Sequence, residues 1–429
     1  MYYRIEGGHP LSGVFTPAGN KNAALPILAG VLLAREPVRL ENVPRIRDVE
    51  TLLHLLEALG VRAEWTAPGV LELSAAGVHR DGYPDPELSG RIRGSVLLAG
   101  PMLARTGAFR FVQPGGDFIG RRRLDTHLLA LQALGATVEV GDPYLLRAPR
   151  LSGASIFLDE PSVTGTENAI LAAVTAKGTT ELRNAATEPH VQDLCRFLAT
   201  LGARIEGIGS PHLVIEGVEA LGGGTFRIGP DHIETGSIIG LAVATRSNLR
   251  IAQVDRTQFD PLRVGFQRLG VRFSWRDADL VVHGAAETEI QPDLGGQIPK
   301  IDDGPWPAFP ADLTSIALVT ATQCRGTVLI HEKMFESRMF FVDKVIAMGA
   351  RIVLCDPHRA VVVGPSPLRG ARLESPDIRA GMAMLIAALA ADGTSHVHNI
   401  GQIERGYESI HERLGALGAR IERVASENR

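Results

Sequence analysis

The sequence has little of several features, and each shortage excludes a class of protein. Its 429 residues contain three cysteines with no CxxC spacing, which argues against a disulfide framework and favours a reducing compartment, the cytoplasm. The net charge of −4 provides no excess of positive charge for nucleic acid or an anionic membrane. No basic-then-apolar signal pattern begins the chain, and its apolar stretches are too short to span a bilayer. We therefore expect a cytoplasmic protein with neither nucleic acid nor membrane as a partner.

Sequence motifs for common cofactors and metals are missing too. There is no Walker A motif, no GxGxxG after a strand and no HExxH. His232 in GPDHIETG stands beside scattered acids, which make a poor metal site. Cys195 and Cys355 lie in apolar contexts, where a cysteine behaves as a small buried hydrophobe. We expect no metal, no cofactor and buried cysteines.

A phrase of Leu-Gly or Met-Gly followed by an apolar strand recurs along the chain. Examples are ALGVRAE, TLGARIEG and AMGARIVL, and six copies at about 72 residues account for the whole length. Each copy has an Ala-rich helix, a short strand, an amphipathic helix and a second strand, with the glycine as a left-handed residue ending the amphipathic helix. This order predicts an α/β fold with short connections. The glycines of the copies are Gly60, Gly135, Gly202, Gly270, Gly349 and Gly418.

The copies divide into two groups of three. We expect a first domain over residues 21–229 and a discontinuous second domain over residues 1–20 plus 230–429. The first strand, in YRIEGG, is expected to pair with the last copy. A one-dimensional solenoid without catalysis is the alternative, but solenoid repeats usually run about 20–50 residues.

Polar residues collect at two places in each copy: the beginning of the Ala-rich helix and the turn before the second helix. Equivalent positions of a repeat lie at equivalent places in space, so we expect these sets to meet at one end of each domain and at a cleft between them. Helix N-termini attract anions, and arginine binds carboxylate and phosphate through paired hydrogen bonds. The pattern predicts a substrate with more than one anionic group. The cationic members include Lys21, Arg93, Arg122, Arg338, Arg379 and Arg405.

Several long motifs together resemble the enolpyruvyl transferases, and most nearly the branch whose acceptor is UDP-N-acetylglucosamine. They are GNKNAALPILAG, PGGDFIGRRRLDTHL, LGGGTFRIGPDHIETG, AFPAD, MFESRMF and IERGYESIHERLGALGARIE, and they cover nearly the whole chain. The resemblance implies a two-domain inside-out α/β barrel fold, with three repeats per domain, helices inside and small sheets outside. It also implies a reaction: phosphoenolpyruvate and UDP-N-acetylglucosamine give the enolpyruvyl ether and phosphate, the first committed step of peptidoglycan synthesis.

The resemblance also assigns roles to residues. It implies that Asp312 is the base near the sugar 3-hydroxyl and that Asp117, in a catalytic loop over residues 113–123, is the acid. The residues implied to hold phosphoenolpyruvate are Lys21, Arg122 and Arg405, with Arg93, Arg338 and Arg379 lining the same anionic cleft. Those implied to bind the uridine diphosphate portion are Arg122, Arg123, Leu124, Asp125, Thr126, His127, Ser162 and Val163, while Asn22 and Phe335 contact the sugar.

Three positions depart from the commonest pattern of the family: Asp117 replaces a cysteine, Glu160 a lysine and His232 an arginine. An aspartate is ionised at neutral pH and neighbouring arginines favour its charge. We therefore expect Asp117 to gain a proton only when the Pro114-Gly115-Gly116 hinge closes the loop over the substrates. A carboxylate is a weaker nucleophile than a thiolate, so we also expect insensitivity to fosfomycin, the epoxide that alkylates the loop thiolate in this family.

Two alternatives remain open from the sequence. Glu160 and His232 are compatible with a transferase that uses another acceptor, such as shikimate 3-phosphate or another nucleotide sugar. The other alternative is an inactive paralogue that binds a nucleotide sugar and regulates the pathway. The presence of Lys21, Arg122, Asp312 and Arg405 argues against this second alternative.

Overall fold

The computed structural model describes residues 1–79 and 83–425, which fold into two compact units. The first unit comprises Gly19–Asp117 and Arg122–Gly229, and the second comprises Met1–Ala18, Phe118–Arg121 and the chain from Pro230 onward. The tip of the predicted catalytic loop thus groups with the second unit, although the residues on either side of it belong to the first.

Helices and strands alternate along the chain. The α-helices are α1 (Lys21–Gly30), α2 (Arg47–Ala58), α3 (Pro86–Ser89), α4 (Ala99–Thr106), α5 (Asp125–Ala133), α6 (Val163–Ala173), α7 (Pro189–Thr200), α8 (His232–Ala244), α9 (Phe259–Arg268), α10 (Thr314–Ala321), α11 (Val342–Ala347), α12 (Ile378–Ala390), α13 (Ile400–Ile403) and α14 (Ile410–Gly415). The strands are β1 (Tyr2–Glu6), β2 (Ser12–Phe15), β3 (Val38–Glu41), β4 (Arg62–Ala67), β5 (Val70–Ser74), β6 (Ala108–Phe111), β7 (Thr137–Glu139), β8 (Tyr144–Arg147), β9 (Ser155–Phe157), β10 (Thr179–Arg183), β11 (Arg204–Glu206), β12 (His212–Glu216), β13 (Gly224–Arg227), β14 (Asn248–Ile251), β15 (Phe273–Arg276), β16 (Asp279–His283), β17 (Lys300–Asp302), β18 (Gly326–His331), β19 (Arg351–Asp356), β20 (Arg359–Gly364), β21 (Arg372–Glu374), β22 (Thr394–His398) and β23 (Arg420–Val424). Short 3-10 helices span Val31–Leu33, Arg93–Leu98, Arg256–Gln258, Leu294–Gly296, Ala311–Leu313 and Arg338–Phe341.

The sheets follow the repeat. In the first unit their strand orders are β13-β3-β5-β4, β6-β8-β7 and β11-β12-β10-β9. In the second unit they are β15-β16-β14-β2, β17-β18-β20-β19 and β21-β22-β1-β23. Each four-stranded sheet has one parallel pair at an edge, for example β17 with β18 or β21 with β22, and its other pairs are antiparallel.

Strand β1 lies in the middle of the last sheet. Tyr2 is opposite His398 of β22 on one side and opposite Val424 of β23 on the other. The expected pairing of the first strand with the last copy of the repeat is therefore confirmed.

The Ala-rich helices form the interior of each unit. Every residue of α8 is buried, and so is every residue of α12 except its last. Their small side chains let the backbones approach closely: a Cβ added at Gly240 would lie 2.5 Å from Cγ2 of Ile316 on α10. Burial of apolar surface on all sides of these helices drives the packing, and the sheets supply the partly exposed outer layer.

The glycines of the repeat end the amphipathic helices as predicted. All six have positive φ, between +85° and +107°, after α2, α5, α7, α9, α11 and α14. Only glycine adopts this conformation without steric cost, which explains why the phrase recurs with a fixed glycine.

The cysteine expectation is partly wrong. Cys195 and Cys324 are buried, but Cys355 is exposed because β19 is the edge strand of its sheet. No helix within residues 1–79 and 83–425 has both the length and the apolar character needed to cross a membrane.

Candidate active site

In the first unit, Lys21 lies at the first position of α1. The side chain of Asn20 caps this helix, with Oδ1 accepting from the backbone N–H groups of Asn22 (2.9 Å) and Ala23 (3.2 Å). The Lys21 ammonium is buried and forms an ion pair of 2.8 Å with Oδ2 of Asp48, at the beginning of α2. The two polar places of the first repeat are therefore adjacent, and Asp48 fixes the position of the lysine.

Arg93 and Arg122 form a strongly cationic patch in the same unit. Arg93 begins a 3-10 helix and donates from Nη2 to the backbone oxygen of Arg123 at 2.8 Å. Burial and, to a smaller extent, the charge of Arg122 lower the pKa of Arg93 to about 10, whereas the charge of Glu160 acts in the opposite direction. Two cations held together at a partly buried place attract an anion, because an anion relieves their mutual repulsion.

The glycines of the loop bring its backbone against this patch. A Cβ added at Gly115 would lie 1.7 Å from the backbone oxygen of Gly90. Gly116 has φ of +108°, and a Cβ there would lie 3.0 Å from that of Arg93. The two glycines thus allow a close approach that places Asp117, which is half-buried, one residue beyond the contact with Arg93.

The loop tip contacts the segment at residues 336–337. The backbone N–H of Arg121 donates to Oε2 of Glu336 at 3.2 Å, and that of Ser337 donates to the oxygen of Ile119 at 3.1 Å. Phe118 remains 83% exposed. The tip is thus held by backbone hydrogen bonds and by Ile119, which is buried, but not by Phe118.

The residues assigned to the nucleotide surround the beginning of α5. Arg123 pairs with Asp125 at 3.1 Å and with Asp159 at 3.0 Å. Thr126 is buried and donates to Oδ1 of Asp159 at 2.7 Å, with a longer contact of 3.3 Å to Glu160. Leu124 is buried in the core. The acid at Glu160 is therefore part of a network with Thr126 and the cationic patch.

His127 is a buried, neutral side chain. Its Nδ1 lies 2.8 Å from Nδ2 of Asn168, whose Oδ1 accepts from Gly100, so Nδ1 is the acceptor. Nε2 then carries the proton and donates to Oγ1 of Thr164 at 3.1 Å. Burial lowers the pKa of His127 to about 3, and the nearby charges of Arg93 and Arg122 add to this. His127 is therefore an uncharged hydrogen-bonding group at neutral pH.

The remaining predicted site residues of the first unit, Ser162 and Val163, lie at the N-terminus of α6. Ser162 caps it through Oγ, which accepts from the backbone N–H of Gly165 at 3.3 Å, and Val163 is its first residue. A neutral cap leaves the positive end of the helix dipole without a compensating charge, which suits a phosphate.

In the second unit, two arginines hold Asp312. Arg338 donates from Nη2 to Oδ1 at 2.6 Å, and Arg379 donates from Nε to Oδ2 at 2.9 Å. Both guanidinium groups are buried, whereas the Asp312 side chain is 25% exposed. Burial alone lowers the pKa of Arg379, but the charge of Asp312, with smaller contributions from other neighbours, outweighs it and the pKa is raised. The carboxylate is thus held ionised, with part of its surface accessible.

Aromatic rings flank both arginines. The guanidinium of Arg338 lies 5.0 Å from the ring centre of Phe335, and that of Arg379 lies 5.4 Å from the ring centre of Tyr407. The Tyr407 hydroxyl is 2.9 Å from Oγ of Ser237 on α8. These contacts favour the planar orientation in which each arginine reaches Asp312.

Arg405 follows α13 and donates from Nη1 to Oε1 of Gln402 at 2.8 Å. It is half-buried. His232, at the beginning of α8, is buried and lies edge-on to Trp306 with the ring centres 5.6 Å apart. Burial lowers the pKa of His232, so this position is uncharged where the family commonly has an arginine.

Comparison with known proteins identifies a family whose sequence pattern matches nearly the whole chain. The EPSP synthase (3-phosphoshikimate 1-carboxyvinyltransferase) family matches residues 5–414. The chain belongs to this family of enolpyruvyl transferases.

Individual relatives of this enolpyruvyl transferase are close in sequence. A UDP-N-acetylglucosamine 1-carboxyvinyltransferase of Bradyrhizobium diazoefficiens is 62% identical, covering 99% of this chain and 98% of that protein. One from Treponema denticola is 56% identical, covering 98% of each chain. The crystal structure of the enolpyruvyl transferase NikO from Streptomyces tendae is 27% identical, with a TM-score of 0.87 over 98% of both chains. The expected inside-out α/β barrel fold and family are confirmed.

Several partners in this enolpyruvyl transferase were not identified as partners from sequence. Asp48 holds Lys21, Asn168 sets the proton of His127, and Tyr407 lies against Arg379. Asp48 and Asn168 stand at the polar places of the repeat, so their positions were visible although their pairings were not. Tyr407, in RGYESI, is a polar aromatic side chain that is 1% exposed, and only its motif marked it.

Proposed function

We propose that this enzyme transfers the enolpyruvyl group of phosphoenolpyruvate to the 3-hydroxyl of UDP-N-acetylglucosamine and releases phosphate. The identity of the acceptor rests on its relatives. Two of them, 62% and 56% identical over almost the whole chain, are named UDP-N-acetylglucosamine 1-carboxyvinyltransferase. The product would begin peptidoglycan synthesis. All three cysteines are free thiols, which supports a cytoplasmic location as part of this proposal.

In this proposal the first unit supplies charge for the anionic substrates. Lys21, Arg122 and Arg405 hold the carboxylate and phosphate of phosphoenolpyruvate. The repulsion between Arg93 and Arg122, which contributes to the lowered pKa of Arg93, supports this role, because a bound dianion would stabilise both cations. The cap Ser162 and the side chain of His127 are both uncharged, so neither repels the phosphates of the nucleotide.

Proton transfer is assigned to two aspartates. The sugar 3-hydroxyl loses its proton to Asp312 as its oxygen bonds to the central carbon of phosphoenolpyruvate. Asp117 gives a proton to the methylene carbon, which becomes a methyl group in a tetrahedral intermediate. The carbon–phosphate oxygen bond then breaks, phosphate leaves, and a methyl proton returns to a base to regenerate the double bond. The support for Asp312 is its ionised, partly exposed carboxylate between two buried guanidinium groups.

One assay tests the proposal. Phosphate release from phosphoenolpyruvate is measured with UDP-N-acetylglucosamine, with shikimate 3-phosphate and with other nucleotide sugars. Activity with UDP-N-acetylglucosamine alone is the expected result. Activity only with a different acceptor would move the assignment to another branch of the family. No release with any acceptor, from enzyme that still binds the nucleotide sugar, would overturn the catalytic role.

A further inference from the structure

Two acids lie side by side where a parallel strand pair ends. Strands β17 and β18 pair in register, with Lys300 opposite Leu329 and Asp302 opposite His331. The next residue of each strand is a carboxylic acid, Asp303 and Glu332, and both are 0% exposed. The register therefore brings two carboxyl groups together in the interior of the second unit.

Each acid has one oxygen satisfied by the backbone. Oδ1 of Asp303 accepts from the N–H of Lys333 at 2.5 Å, and Oε1 of Glu332 accepts from the N–H of Phe335 at 3.2 Å. The other oxygens, Oδ2 and Oε2, are buried and have no hydrogen-bond donor within the part of the chain that the structure describes. An ionised carboxylate only accepts hydrogen bonds, so two ionised acids here would leave both oxygens unsatisfied and in repulsion.

A single proton between the two oxygens resolves this arrangement. It supplies the missing donor, and it leaves the pair with one negative charge. Burial and the neighbouring Asp303 raise the pKa of Glu332 to about 9, whereas the positive charge of Arg338 and the Thr314 hydroxyl, at the beginning of α10, act in the opposite direction.

The pair is coupled to the arginine that holds Asp312. Glu332 binds the backbone of Phe335, and the ring of Phe335 lies against the guanidinium of Arg338. The charge of Glu332 also acts on Arg338 directly, after that of Asp312, and together they outweigh the lowering of its pKa by burial. The negative pair and Asp312 thus both stabilise one buried cation.

The other charged groups near the pair have partners of their own. Nζ of Lys333 is turned to Asp302 at 2.8 Å, and Nδ1 of His358 lies 2.8 Å from the backbone oxygen of Glu332. Asp377 and Arg379 act on the charge of Arg338. The state of the shared proton therefore depends chiefly on Asp303, Glu332 and Arg338.

We propose that Asp303 and Glu332 share one proton and act as a singly charged unit that positions Arg338, and through it the base Asp312. They are positioning residues and do not contact substrate. The role in catalysis rests on the proposed function; the sharing of the proton does not.

Amide substitutions separate charge from packing. In Glu332→Gln the amide donates to Asp303, and in Asp303→Asn the amide donates to Glu332, so each single variant keeps one negative charge. The double variant Glu332→Gln/Asp303→Asn has nearly the same volume but no charge. We expect kcat within ~3-fold of wild type for each single variant and a loss of at least ~10-fold for the double variant, with the nucleotide-sugar dissociation constant unchanged.

The matched control is Asp302→Asn, which removes the neighbouring half-buried acid that pairs with Lys300 and Lys333 and should leave kcat unchanged. If the double variant does not fold, as judged by thermal unfolding, Glu332→Gln/Asp303→Ser removes the same charge with a hydroxyl that both donates and accepts. A folded, uncharged double variant with the kcat of the single variants would overturn the positioning role. Loss of the shared proton would double the negative charge of the pair, so we expect kcat of wild type to decline as the pH rises towards 9 and kcat of Glu332→Gln to decline less.

The proton itself is tested without catalysis. The pKa of Glu332 is raised in the folded protein, from an ordinary 4.5 to about 9, so its stabilising contribution is complete below 4.5 and is lost as the pH rises towards 9. Glutamine does not titrate, so the thermal midpoint of wild type should fall relative to Glu332→Gln between pH 5 and pH 9. A difference independent of pH would overturn proton sharing. If wild type releases no phosphate, the proposed function fails, and this measurement still decides the shared proton.

Discussion

The two units begin their interior helices with different chemistry at equivalent places. In the first unit the side-chain caps of α1 and α6 are Asn20 and Ser162, both neutral, and the uncapped 3-10 helix begins with Arg93. In the second unit the caps of α8 and α12 are Asp231 and Asp377, both acids. The helix before α10, which has no side-chain cap, carries Asp312.

This difference assigns a separate task to each unit. A helix N-terminus carries a partial positive charge, and an acidic cap neutralises it whereas an amide or hydroxyl does not. The first unit therefore keeps its positive ends and adds cations, an arrangement suited to anionic substrates. The second unit surrounds Arg338 and Arg379 with acids, an arrangement suited to holding a base and its counter-ions in place.

The largest effect should come from Asp312. Asp312→Asn removes the proton acceptor and the carboxylate that pairs directly with two buried arginines, so we expect kcat to fall by ~10³-fold or more. The measurement is phosphate release at saturating substrates. Asp231→Asn is the control in the same unit, because it exchanges one good helix cap for another and should keep most activity. An Asp312→Asn enzyme with kcat near wild type would remove the base from the second unit.

The next effect concerns Asp117, the last residue of the first unit before the loop tip. Asp117→Asn cannot give up a proton, so we expect kcat to fall by ~10²-fold across the acidic to neutral range. A pH–rate profile of the variant with full activity over that range would exclude Asp117 as the acid.

The same position should decide the response to an epoxide. Incubation with fosfomycin should leave wild type active, whereas Asp117→Cys should lose activity with time, because a thiolate opens the ring far faster than a carboxylate. Mass spectrometry locates any adduct. Covalent labelling of Asp117 itself by stoichiometric fosfomycin would contradict this expectation.

A smaller change tests the neutral caps. Ser162→Asp gives α6 an acidic cap like those of the second unit and keeps the helix capped. We expect KM for the nucleotide sugar to rise by ~10-fold, because the new charge repels phosphate, with little change in the thermal midpoint. Ser162→Asn is the neutral control. Equal KM values for the two variants would mean that the charge of the cap does not matter for binding.

The smallest effect concerns a buried acid of the first unit. Glu167 on α6 is 1% exposed, and burial, with the charge of Glu188, raises its pKa well above the ordinary value. Its stabilising contribution is complete below the unfolded pKa and is lost as the pH rises. Relative to Glu167→Gln, wild type should therefore lose a few degrees of thermal midpoint between pH 5 and pH 8. Parallel curves for the two proteins would contradict the raised pKa.

Sequence reasoning succeeded where the repeat imposed a local requirement. The glycine after each amphipathic helix needs positive φ, so its place could be predicted from the phrase alone. The pairing of Tyr2–Glu6 with the last copy was expected from the position of this strand ahead of Lys21, where the first copy begins. Neither inference depends on which side chains meet.

Pairings over long distances could not be predicted in the same way. The repeat marked both Lys21 and Asp48 as polar, but nothing in the sequence joins them across 26 intervening residues. The meeting of Asp303 with Glu332 depends on the register of two strands that lie more than twenty residues apart. The exposure of Cys355 depends on β19 being an edge strand, which its apolar sequence does not reveal.

The position of β1 also means that this strand is synthesised long before the strands with which it pairs. This strand is made first, yet its neighbours in the sheet begin at Thr394 and Arg420. At ~5–20 residues per second, β1 waits roughly 20–80 seconds on the ribosome before β22 emerges. During that interval Tyr3 and Ile5, both fully buried in the finished protein, have no sheet to enter. The first unit can be completed within this time, so the growing chain carries a folded unit preceded by a segment that a chaperone could occupy.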